Sequence, residues 1–437
     1  MTRFPKLGSV LVCALLGANV GCSADSGSGS RASGGGTGGS GGTGGKAAGG
    51  ATSGGAAAGG SVSTGGSGTG GSTSGGTSSG GVSSGGTSGG GSGGTGGPLP
   101  PDPCIAAGTC PAGEWINVTP SSLVMPDFGG GPIVADPDTA SDLYFGGGGD
   151  GLWKSTDYGN TWTNINAGIG YVPMGYIMAV FPGTPTRIIV AGYKNVHKST
   201  DGGATFTDVA FDFPAELYSI QIDPYDSTHL ISGLHEADGI VESTDSGDSW
   251  NYVGTTGFPT GGKSWFVFFI DTGSAATTHD TWFAIAQDGG SATKTVDAGG
   301  NWATPTGLTG LQHVHGNAQI FQSGSTIFVP GINGPGQGLY KSTDTGGTFT
   351  KVLDGNLSVA WGTANNVYTM WGWACSGCDL GASFAVAPMP AGTTFDKPTV
   401  PDAMNIGANH VAVTSDGTHN IFVGMMWKDG VWRYVEP

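Results

Sequence analysis

The chain has 437 residues and a formal net charge of −17, both unevenly distributed. Residues 26–97 hold 35 glycines, no aromatic residue and two charges, Arg31 and Lys46; such a stretch buries too little apolar surface to offset chain entropy and is expected to be disordered. Residues 99–437 carry 31 acids against 11 Lys and Arg, a net −20, which excludes nucleic acid and anionic membrane surfaces as partners; their only arginines, Arg187 and Arg433, exclude anion sites built from several arginines.

The N-terminus reads as an export signal over 1–22. Arg3 and Lys6 precede the apolar run 7–16, which is too short to span a bilayer, and small residues follow. Cys22 directly after Gly21 resembles the lipid-attachment site of bacterial lipoproteins, although Asn19 stands where that signal usually has an apolar residue. Cleavage after Ala24 without a lipid is the alternative, so the chain is expected in the cell envelope as a lipoprotein or outside the cell. Any membrane contact is expected only through that lipid. The linker 23–98 then acts as a tether, its 72-residue Gly/Ser-rich part reaching about 45 Å on average. In an exported chain, the close pairs Cys104/Cys110 and Cys375/Cys378 suggest local disulfides.

Residues 99–437 contain an internal repeat. Residues 155–162 (STDYGNTW), 199–206 (STDGGATF), 243–250 (STDSGDSW) and 342–349 (STDTGGTF) share one pattern, and 295–302 (TVDAGGNW) is a looser copy. The aspartates Asp157, Asp201, Asp245, Asp297 and Asp344 recur at spacings of 44, 44, 52 and 47. Short strand-like runs flank each copy, so each is a hairpin turn in which Asp accepts turn N–H groups and Gly allows positive φ. This pattern resembles the Asp-box, or bacterial neuraminidase repeat, of sialidases, xyloglucan-hydrolysing enzymes and sortilin-type receptors. The resemblance implies an all-β, seven-bladed β-propeller over 99–437, with inner strands near Ile133, Met178, Ile220, Val267, Gln319, Val359 and Val411. The last blade lacks an outer strand, and residues 114–118 are expected to supply it and close the ring. The resemblance also makes the repeat aspartates scaffold rather than catalytic.

In a propeller the loops opposite the repeat turns hold the chemistry. On that face the sequence places His235, Glu236, Asp238, His313, His315 and His410. A histidine with neighbouring carboxylates suits proton transfer, and Glu236 with Asp238 is the best candidate for the carboxylate pair that glycoside hydrolysis needs. The catalytic candidates are therefore His235, Glu236, Asp238, His315 and His410. Substrate contacts are expected from Tyr176, Tyr193, Lys194, Lys263, Trp265, Asp288, His313, Asn317, Trp373 and Trp427, the aromatic rings as stacking platforms for sugars. His313 and His315 are too few ligands for a metal site, no motif indicates a cofactor, and calcium binding stays open. Sialidase activity is set aside, because those enzymes grip the substrate carboxylate with three arginines. The expectation is a monomeric, tethered propeller that cleaves an extracellular polysaccharide or oligosaccharide, a hydrolase ahead of a lyase. Non-catalytic glycan or protein binding, or a role in envelope assembly, is the alternative.

Overall fold

The computed structural model describes residues 99–437 apart from 126–128, 166–168, 170–176, 193–194, 210, 212, 214, 254–255, 262–263, 288–291, 314–317, 333–334 and 372–383. The expected export signal, Cys22 and the tether lie outside the described residues. No helix among the described residues is long and apolar enough to cross a membrane.

Seven antiparallel sheets form the blades of a β-propeller. The first runs Ile133–Ala135, Leu143–Gly146, Leu152–Ser155 and Thr163–Asn164, and the second Met178–Phe181, Arg187–Ala191, Val196–Ser199 and Thr207–Val209. The third holds Gln221–Asp223, Asp226–Gly233, Ile240–Ser243 and Asn251–Tyr252, and the fourth Ser264–Phe269, Trp282–Gln287 and Ala292–Thr295. The fifth begins at Phe321–Ser323, the sixth at Val359–Gly362 and the seventh at Ala408–Ser415. Strand Trp115–Asn117 pairs antiparallel with Gly430–Val435, so the N-terminal segment completes the last blade. Inner strands sit between neighbouring blades on both faces, which is why Met178–Phe181 is wholly apolar and buried while the outer Thr163–Asn164 is polar and exposed. The inner strands expected near Ile220 and Gln319 start at Gln221 and Phe321. Gln319 instead bonds across blades: its amide donates to the Val411 carbonyl at 2.8 Å and accepts the Val411 N–H at 3.0 Å.

The five repeat turns share one hydrogen-bond plan. In the second blade the Ser199 hydroxyl donates to Asp201 at 2.8 Å and accepts the Gly203 N–H at 2.9 Å, while Asp201 accepts the Thr205 N–H at 2.9 Å and its hydroxyl at 2.6 Å. Those hydroxyl and backbone donors pull the Asp201 carboxyl down to about 2. The residue after each aspartate also takes a positive φ, a second left-handed position that the sequence reading did not identify. Four of these five residues are not glycine, and the β-branched Thr345 sits at φ 57° where the second repeat has Gly202. Replacing Thr345 by glycine is expected to raise stability by about 0.5 kcal/mol, since relief of the left-handed penalty outweighs the added chain entropy. A lower unfolding midpoint in urea for that variant would disprove this account.

An N-terminal clamp lies beside the closing strand. Cys104 and Cys110 are disulfide-bonded, with Cα atoms 5.4 Å apart. Asp102 caps the short helix Pro103–Ala106 and pairs with the buried Arg433 guanidinium.

Candidate functional site

The candidate site is built on the loop joining Asp226–Gly233 to Ile240–Ser243, on the face away from the repeat turns. Two isolated bridges hold that loop: Leu234 pairs with Leu217 of the preceding connection, and His235 with Ser264 of the fourth blade. Close approach of the fourth blade demands a glycine at 233, where a Cβ would lie 1.8 Å from the Trp265 carbonyl oxygen. The Ser219 hydroxyl accepts the N–H groups of both Gly233 and Val267, joining the two blades at the same level.

This local register brings Glu216 opposite His235. The His235 Nδ1 lies 3.1 Å from Glu216 Oε2, and the two side chains are 19% and 16% exposed, with His235 Nε2 itself shielded from solvent. The imidazole stacks on Tyr218 at 4.6 Å with an interplanar angle of 11°. The Glu236 N–H donates to the Ser264 hydroxyl at 3.0 Å, which fixes the loop where Glu236 projects exposed. Glu236 has φ 51°, and among the described residues it is the only non-glycine left-handed residue outside the repeat turns. Strain of this kind persists only where surrounding contacts enforce it, and it concentrates at functional sites. The exposed Glu236 carboxylate, next in sequence to a histidine paired with a carboxylate, is the group of this loop that can exchange protons with a bound ligand.

Other expected site residues have different positions. The Asp238 oxygens accept the Gly261 N–H at 2.9 Å and the Trp265 indole N–H at 3.2 Å, tying two loops together. Trp265 offers no stacking face, being fully buried against Phe258 at 4.4 Å. Trp427 is likewise buried. His313 is buried edge-on to Phe266 at 4.3 Å and forms the wall behind Tyr218 rather than a surface contact. His410 is buried in the seam between the last and first blades, where its Nδ1 accepts the Ile133 N–H at 3.1 Å. Burial pushes its pKa down to about 3, so it is neither accessible nor protonatable near neutral pH. Tyr176, Tyr193, Lys194, Lys263, Asp288, His315, Asn317, Trp373, Cys375 and Cys378 lie outside the described residues.

Sequence reasoning missed Glu216. It lies in the connection between the second and third blades, and only the Leu217–Leu234 bridge shows which histidine it meets. The two arginines are both structural: Arg187 lies 4.7 Å over the Phe181 ring, and Arg433 is buried in the N-terminal clamp.

No family model matches the chain. It is similar to a xyloglucanase of Acetivibrio thermocellus, 36% identical over 101 residues, which is 18% of this chain and 12% of that protein. It is also similar to a xyloglucanase of a Paenibacillus species, 32% identical over 135 residues, 22% of this chain and 13% of that one. The chain therefore spans only a small part of the curated relatives it matches. Among solved structures, the GH74 xyloglucanase from Xanthomonas campestris superposes with a TM-score of 0.51 at 18% identity, covering 73% of this chain and 53% of that one; this likeness supports the propeller fold alone.

Proposed function

We propose that this propeller is an exported glycoside hydrolase that cleaves a neutral extracellular polysaccharide, with Glu236 and the Glu216–His235 pair as its acid–base groups. The observation that carries the reading is Glu236, exposed on a left-handed backbone beside a half-buried carboxylate–imidazole pair. Glycoside hydrolysis takes two carboxylates, one to protonate the leaving oxygen and one to act as base or nucleophile. Glu236 is the group free to meet the sugar, and Glu216, oriented by His235, is the second. The xyloglucanase similarity and the acidic surface both favour a neutral glycan over a polyanion. The expected export signal and tether would hold the domain outside the cell.

The test is a polysaccharide panel that includes xyloglucan, read for new reducing ends and for absorbance of unsaturated uronates. Reducing ends without absorbance are expected. Glu236→Gln should lower kcat/KM at least 100-fold and Glu216→Gln about 10- to 100-fold, both with unchanged melting. Unsaturated products would instead make the protein a lyase. Binding without either product would make it a glycan-binding propeller.

A further inference from the structure

On the opposite face, where the third and fourth blades meet, three groups converge that the proposed reaction does not use. Asp223 ends an inner strand, His229 lies in the next strand, and His279 caps the short helix Ala275–Thr278 of the fourth blade. Asp223 Oδ2 is 3.1 Å from Nδ1 of His229 and 3.1 Å from Nδ1 of His279. One ligand atom from each residue lies within 4.8 Å of the other two. The two imidazoles overlap with centroids 3.9 Å apart, so both Nδ1 atoms face the same oxygen.

We propose that Asp223, His229 and His279 bind a tetrahedral divalent transition-metal ion, Zn2+ being the best match, with the fourth position open. Two imidazoles and one carboxylate are a common zinc donor set. Metal–ligand bonds of about 2.1 Å at tetrahedral angles separate ligand atoms by about 3.4 Å, a few tenths of an ångström from the two Asp223–imidazole distances of 3.1 Å. The outer contacts are those of a metal site. His229 Nε2 is 2.8 Å from Glu242 Oε1, which leaves Nδ1 to ligate, and Asp223 Oδ1 accepts the Tyr225 N–H at 2.9 Å, which aims Oδ2 inward. Asp223 and His229 side chains are each 1% exposed, whereas His279 is 40% exposed and gives the ion an entry path. Asp223 and His279 also line a cavity of about 310 Å³, together with Tyr225, Asp226 and Asp280, wide enough for a water or a ligand oxygen. The ion would join the third blade to the helix of the fourth.

The test uses the full chain, stripped with a chelator and titrated with Zn2+ in competition with a chromophoric chelator, and with Co2+ as a spectroscopic probe. One equivalent of Zn2+ with a micromolar or tighter Kd is expected, with a melting temperature that rises with Zn2+ concentration. Co2+ should give visible d–d bands of tetrahedral N/O ligation and no thiolate charge-transfer band. His279→Ala should weaken the site at least 100-fold, with melting in chelator unchanged. Glu242→Gln, which removes no ligand, should weaken it about 10- to 100-fold. Failure of the native chain to retain one equivalent, a thiolate band, or unaltered affinity in both variants would each overturn the proposal.

Discussion

Arg433→Ala is expected to destabilise the chain by about 3–5 kcal/mol, the usual consequence of breaking a buried ion pair. The guanidinium is 1% exposed and pairs with the Asp102 carboxylate, which is itself buried. It also donates to Cys110 Sγ at 2.8 Å and to the Tyr158 carbonyl at 3.0 Å. One side chain thus ties the last strand, the disulfide-bonded N-terminal segment and the first repeat turn together. The Tyr158 hydroxyl adds a bond back to the Pro100 carbonyl. Burial lowers the Arg433 pKa, but the nearby Asp102 charge opposes that, and the group stays charged at any working pH. Most of the loss comes from stranding the Asp102 charge, so Arg433→Met combined with Asp102→Asn should recover part of it. Asn keeps an oxygen for the N–H groups of Cys104 and Ile105 that Asp102 now caps. Urea unfolding midpoints of the parent chain and the two variants decide the matter. A loss below about 1 kcal/mol in the single variant would mean that the clamp does not hold the ring closed.

The second large effect is a loss of stability below pH 6.5. His410 is held neutral by burial, with a folded pKa of about 3 against about 6.5 in the unfolded chain. Between those values the unfolded state binds the extra proton. The His410 contribution is therefore complete above pH 6.5 and falls by about 1.4 kcal/mol per pH unit as the pH drops toward 3, or about 2–3 kcal/mol by pH 4.5. The repeat-turn carboxylates do not mask this window. Their folded pKa values are depressed, so their contribution begins to fall only near the unfolded carboxylate value of about 4. His229 does not mask it either. Burial would lower its pKa, but the hydrogen bonds it donates to Asp223 and Glu242 outweigh that and raise it to about 9, so in the metal-free chain its contribution is lost between about pH 6.5 and 9. His410→Gln should flatten the decline between pH 6.5 and 4.5. An unchanged decline in that variant would assign it to another group.

The repeat made the fold legible in the sequence. Five Asp–x–Gly turns at near-regular spacing count out blades, and the strand-like run around Trp115 next to an incomplete last blade announces the closing strand, because both are local patterns of hydrogen bonding and apolar alternation. The face of each loop was legible to the same degree, since strand connectivity alone decides on which side each loop emerges. Glu236 and His235 were placed on their face this way.

What lies inside that face was not legible. Trp265, Trp427, His313 and His410 belong to loops or strand ends on the expected side, but each packs into a seam between blades, and a sequence does not say which side chains a neighbouring blade will cover. Glu216 and His235 are 19 residues apart, and Asp223 and His279 are 56 apart, so their pairing depends on how separate blades and connections dock. Local spacing therefore determined the number of blades, the turns and the face of each loop. Only the tertiary structure decided which charged groups meet and which aromatic rings are buried, because those contacts are made between blades rather than within them.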